Sequence, residues 1–330
     1  MKNTKGQNKV IIFIIAIIII TAGAYWLAKG NFLSNKNQPS LSDSQISINE
    51  QSAQPNDAHQ VFKTLFYAVN QGENINISTI NLESLQKKLI FTDADETLKI
   101  KRLSNIGGNS VLALMGPKGD VPTAALYSIS LDGKGNKTKL QNEVTTLTSP
   151  SLSPDGKNIS LIEFSNAEKD FGYSVISENL DGTDKKIVYK NPSPLSFLTF
   201  KQDGAKLAVV KTTQSGSEII IVNLADLKPQ TIYKTQDEQI SYLNWTSSGL
   251  TFSKSPTKNA KNTTDIYSCD EQGNNLKKIS ALSTVKTFPL ISPDGLNLTY
   301  ISKNNLILYN INEAKEQNLT VASQILGWLP

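Results

Sequence analysis

One histidine, His59, and one cysteine, Cys269, are all that this 330-residue chain offers of the two side chains best suited to nucleophilic or soft-metal chemistry. A Ser-His-Asp or Cys-His site needs its base held within hydrogen-bond reach of a nucleophile by a third group. His59 ends a Ser-, Asn- and Gln-rich stretch, outside any predicted strand, and is badly placed for that. A single His and a single Cys far apart cannot build a tetrahedral zinc site. The carboxylates Asp155, Asp181, Asp203 and Asp294 each stand in a turn signal of their own, where Asp bonds its own backbone. Calcium needs several oxygen ligands converging on one point, and Asn244 is the one obvious amide candidate for such a site. The expectation is no catalytic residue, no cofactor and no metal. The alternative is a metal-dependent hydrolase of small esters or lactones, with Asn244 in a central channel.

The elements that must carry these residues are set by a repeat. Turns centred on Gly108, Gly156, Gly204, Gly249 and Gly295 recur at steps of 48, 48, 45 and 46 residues. A second glycine, Gly133, Gly182 or Gly273, follows three of them after 24 to 26 residues. Between the turns, apolar and β-branched runs of four to seven residues predict four short strands per unit. In the third unit they are Ser149 to Ser153, Asn158 to Phe164, Tyr173 to Leu180 and Lys185 to Tyr189. Four strands in 40 to 50 residues is the signature of a β-propeller blade. Cys269 falls in a third strand and reads as a small strand residue, with no disulfide framework possible.

The Ser-Pro-Asp-Gly turns at 153–156 and 292–295 and the Leu-Asp-Gly turns at 131–133 and 180–182 resemble those of TolB-like (WD-repeat-like) propellers, over roughly residues 59–330. Gln202-Asp203-Gly204 and Ser247-Ser248-Gly249 depart from the motif but keep the spacing. The resemblance implies envelope protein complexes as partners; the turns themselves shape blades and bind nothing in particular. Propellers that accompany serine peptidases carry a separate α/β-hydrolase domain, for which no residues remain.

Thr64 to Val69, Asn76 to Leu82 and Gln86 to Phe91 form a blade lacking its first strand. Gln324-Ile325-Leu326-Gly327-Trp328 resembles the first strand at Gln239 to Trp245 and is expected to supply it, closing the ring without a free sheet edge. The fold class is therefore all-β, a six-bladed propeller of four-stranded antiparallel blades. Trp245 and Trp328 occupy equivalent positions and are expected to pack between blades.

Ahead of the propeller, Val10 to Leu27 is an isoleucine-rich apolar run preceded by Lys2, Lys5 and Lys9. It is just long enough to span a bilayer, and the lysines favour a cytoplasmic N-terminus. Ala22-Gly23-Ala24 gives the rival reading of a cleaved signal peptide. We divide the chain into a basic cytoplasmic tail (1–9), a transmembrane signal anchor (10–28), a flexible polar linker (29–58) and an extracytoplasmic propeller (59–330). Net charge is +4 with lysines scattered among acids, which excludes the basic stripe that nucleic acid requires.

In such a blade the first-to-second and third-to-fourth strand turns share one face, and these are the tight Asp-Gly turns. The longer connections, Gly116 to Thr123, Asn166 to Gly172, Thr212 to Gly216 and Ser255 to Thr264, share the other. Variable loops on a rigid ring are where binding usually resides. The candidate binding residues are Lys118, Asp120, Lys169, Asp170, Phe171, Lys258 and Lys261, facing an envelope or cell-surface protein or a glycan.

Overall fold

The computed structural model describes residues 63–329, apart from 73, 94–96, 118–122, 147, 248, 258–262 and 280–283. Among them no helix is long and apolar enough to cross a membrane. The run Val10 to Leu27, the linker and His59 lie outside the described residues.

Among the described residues twenty-four strands form six four-stranded antiparallel sheets. Blade 1 contains β1 (Thr64–Gln71), β2 (Asn74–Asn81) and β3 (Lys87–Thr92). Blade 2 contains β4 (Lys99–Gly107), β5 (Ser110–Gly116), β6 (Thr123–Ser130) and β7 (Lys137–Thr145). Blade 3 contains β8 (Ser151–Leu152), β9 (Asn158–Ser165), β10 (Gly172–Asn179) and β11 (Lys186–Asn191). In blade 4 lie β12 (Leu195–Phe200), β13 (Lys206–Thr212), β14 (Ser217–Asn223) and β15 (Pro229–Lys234). Blade 5 holds β16 (Glu238–Thr246), β17 (Gly249–Pro256), β18 (Asp265–Cys269) and the short β19 (Lys277–Lys278). The sixth has β20 (Thr287–Ile291), β21 (Asn297–Ser302), β22 (Asn305–Asn310) and β23 (Lys315–Val321). The last strand, β24 (Gln324–Leu329), returns to blade 1 and pairs with β1 as its innermost strand, so the ring closes where the sequence places the closure.

The repeated turns are built by local chemistry. In Ser153-Pro154-Asp155-Gly156 the Gly156 N–H donates to Ser153 O at 2.9 Å, the Lys157 N–H to Asp155 Oδ1 at 3.1 Å, and Gly156 takes φ 72°. Glycine is the residue that adopts such a φ without steric cost. Blade 6 repeats this at 292–295, with Gly295 N–H to Ser292 O at 2.8 Å. The predicted first strand at Ser149 to Ser153 shortens to Ser151–Leu152, since Pro150 and Pro154 beside it have no N–H to give the ladder.

Apolar side chains alternate toward the seams between blades, where the cores lie. One seam joins Phe66, Ile77 and Phe91 of blade 1 to Leu103, Val111 and Ile129 of blade 2. Another joins Ala208, Val210 and Ile219 of blade 4 to Leu243, Leu250 and Phe252 of blade 5. Trp245 packs on that cluster and Trp328 on the one between blades 6 and 1, as expected of spacers between sheets. Outer strands carry exposed lysines such as Lys87, Lys186, Lys277 and Lys315, charges that discourage pairing with another chain's edge.

Candidate functional site

On the long-loop face, the β9–β10 connection carries the described residues among the predicted binding set. Lys169, Asp170 and Phe171 are all exposed in it. The Asp170 N–H turns back to Ala167 O at 2.9 Å, and the Asp170 carboxylate meets Lys190 Nζ of β11 at 3.2 Å. Phe171 stands edge-on to Phe164, with ring centroids 5.7 Å apart and planes at 81°. Phe164 in turn tilts against its cross-strand partner Tyr173 at 4.9 Å. Exposure falls steeply through the stack, from 49% at Phe171 and 38% at Phe164 to 2% at Tyr173. Phe164 links the exposed Phe171 to the buried Tyr173, and burial pushes the Tyr173 phenol above its ordinary pKa. Lys118, Asp120, Lys258 and Lys261 lie outside the described residues, so three of the seven predicted residues are placed, on one loop. Sequence reasoning missed Phe164; its signal was the aromatic residue closing the second strand opposite Tyr173.

The inner strands bring together an arc of aromatic rings and an amide pair that reaches across the ring. Inner strands of blades 4, 5 and 6 break register at Phe197, Tyr242 and Phe288, which take φ of 48°, 53° and 52°. Left-handed backbone is costly for an aromatic residue, and here a bulge turns each ring toward its neighbour. Phe197 and Tyr242 are 5.3 Å apart, Tyr242 and Phe288 4.6 Å. Burial pushes the Tyr242 hydroxyl up to about 12, so it stays neutral. Asn105 of blade 2 donates from Nδ2 to Oδ1 of Asn244 in blade 5, on the opposite side of the ring, at 3.4 Å. The Asn244 Nδ2 donates to Pro289 O at 2.7 Å. The amide singled out as a metal ligand bonds through both atoms, with the contact to its oxygen the longer one. Equivalent Ser-Phe-Leu, Ser-Tyr-Leu and Thr-Phe-Pro triplets at 196, 241 and 287 carried the signal for this aromatic arc.

Elsewhere the titratable groups serve turns and seams. Asp155, Asp181, Asp203 and Asp294 each accept an N–H two residues on, at 2.9 to 3.1 Å, as turn caps. Between blades 4 and 5, Glu271 meets Lys201 at 2.6 Å and Lys206 at 2.9 Å. A recess of about 300 Å³ beside them is lined by Lys201, Gln202, Asp203, Thr246 and Ser247. Burial, with Asp270 nearby, pushes the Cys269 thiol to about 11, leaving it protonated and inert. Among the described residues no group of three His, Cys, Asp or Glu could hold a metal ion.

No protein-family model and no curated protein matches the chain. Solved structures do. A protein designated TolB from Agrobacterium tumefaciens superposes with a TM-score of 0.58 at 13% identity, covering 77% of this chain and 88% of that one. TolB from Acinetobacter baumannii gives 0.60 at 12% identity, over 80% of this chain and 65% of that one. The architecture is the TolB-like six-bladed propeller. The same TolB-like ring also matches an oligogalacturonate lyase from Vibrio parahaemolyticus, at TM-score 0.52 and 12% identity over 78% of this chain and 74% of that one. Identities this low establish a shared fold and carry no activity across.

Proposed function

We propose that this chain is a non-enzymatic binding module, tethered on the extracytoplasmic side of a cell membrane by residues 10–28, whose long-loop face captures an envelope or cell-surface protein. The observation that carries the reading is the Phe164–Phe171 pair, two exposed, mutually packed rings backed by a buried tyrosine and flanked by Lys169, Asp170 and Lys190. Pre-ordered aromatic anchors inside a charged rim are the residues that dominate protein interfaces. The TolB-like fold supports the same reading. A glycan is the second reading, because sugars also pack on exposed aromatic rings.

In-cell crosslinking of the full-length protein, followed by mass spectrometry, tests this. The Phe164→Ala/Phe171→Ala double variant should lose a discrete protein partner about tenfold or more. Undiminished recovery in that variant, and in one with Ser255 to Thr264 shortened, would overturn the assignment of the face. Retention on isolated cell-wall polysaccharide, lost in the double variant, would replace protein by glycan.

A further inference from the structure

The opposite, tight-turn face carries its own apolar features. Four of the nine large apolar side chains exposed among the described residues stand in its turns: Leu85, Leu227, Leu276 and Leu296, each 43 to 48% exposed. They come from blades 1, 4, 5 and 6, an unbroken arc of the ring. Leu85 and Leu227 hold φ of 55° and 56°, in turns where blades 3, 5 and 6 place Asp184, Asn275 and Ala314 in the same conformation. A leucine there is unfavourable on two counts, left-handed backbone and exposed apolar surface.

The charges around the leucines are ordered too. The acids of this arc are occupied: Glu83 by Lys63, Asp226 by Lys228, Glu271 by Lys201 and Lys206, Glu313 by Lys315. Asp203, Asp270 and Asp294 accept N–H groups of their own turns and keep their negative charge. Lys87, Lys88 and Lys277, next to Leu85 and Leu276 in sequence, make no ion pair among the described residues and are exposed. The chain also joins the propeller on this face: Lys63 O accepts the Leu82 N–H at 2.8 Å beside the β2–β3 turn.

We propose that the tight-turn face rests on a phospholipid bilayer, with Leu85, Leu227, Leu276 and Leu296 dipping below the headgroups and Lys87, Lys88 and Lys277 meeting lipid phosphates. This rests on the tethered reading above. Leucine tips with lysines beside them are the chemistry of interfacial binding, apolar insertion supplying the hold and cationic side chains a preference for anionic lipid. The long-loop face is then presented away from the bilayer.

The test uses full-length protein reconstituted into vesicles of mixed phosphatidylcholine and phosphatidylglycerol, some lipids carrying a nitroxide quencher. An environment-sensitive fluorophore goes on Ala225→Cys, in a tight turn, or on Asn166→Cys, in the long-loop face; buried Cys269 stays unlabelled. The Ala225→Cys probe should be quenched at least about fivefold more than the Asn166→Cys probe. Changing the four leucines to Asn, which tolerates left-handed backbone and so spares the fold, should abolish that difference. Equal quenching at both probes, none at either, or a difference indifferent to the leucines would overturn the proposal. Release of the chain by alkaline carbonate would refute the tether separately, since the probes still report which face meets lipid.

Discussion

Glu271 shows how one side chain can fasten two blades. Hydrogen bonds from Lys201 and Lys206 hold its carboxyl below the ordinary glutamate value of 4.5. The folded state therefore binds that proton less readily than the unfolded chain. Its contribution is complete above about pH 4.5 and is lost as pH falls through the lowered folded value. Partial exposure screens the pair, so Glu271→Gln should cost about 1 kcal/mol or less at neutral pH. Thermal melts from pH 7 to 3 should show the gap between wild type and variant closing below pH 4.5; a gap independent of pH would contradict the ion-pair account. At this scale the sequence was legible wherever a residue acts on its own backbone, as Asp155 and Asp294 do. It pointed to Asn244 but was silent on its pairing with Asn105, which spans 139 residues and depends on the ring being closed.

The seam between blades 2 and 3 depends on the close approach of two turns. Gly108 N–H donates to Pro154 O at 3.1 Å, and a Cβ added at Gly107 would lie 2.5 Å from Leu152 Cγ and 2.6 Å from Ser153 O. Gly107→Ala must push the first turn of blade 3 outward and should cost about 2 kcal/mol or more, read as a lower urea midpoint with an unchanged slope. Strand positions were legible because alternation and turn residues repeat every 45 to 48 residues. The third-to-fourth turns of blades 1, 4 and 6 escaped the glycine search. They are capped instead by Asn81, Asn223 and Asn310, whose Oδ1 atoms accept N–H groups two residues on at 2.9 to 3.0 Å. The recurrent Asn-Leu or Asn-Ile opening was the available sign. The aromatic stack of Phe164, Phe171 and Tyr173 was not legible in the sequence, because it depends on the β9–β10 register.

For the whole molecule the decisive contact is β24 on β1, residues from the two ends of the described chain. Ile325 and Leu326 are buried in the seams on either side of blade 1, and Gln324 Nε2 reaches Leu103 O in blade 2 at 3.3 Å. Deleting residues 324–330 should cost about 5 kcal/mol or more by burial alone and bare the inner edge of β1. Melting temperature should fall sharply and size-exclusion chromatography should show association; a monomer melting like wild type would mean that the other five blades hold the ring unaided.

That closure also fixes how the ring would respond to tension. A pull on residue 63 enters the fold at Thr64, at the head of β1, and β1 is gripped on both edges, by β24 and by β2. A load along the strand must slide it past two ladders at once, so the hydrogen bonds share the strain. An edge strand would instead peel, one bond at a time. Placing β24 against β1 thus turns the point where residue 63 enters the fold into the clamped interior of a sheet, suited to bearing load.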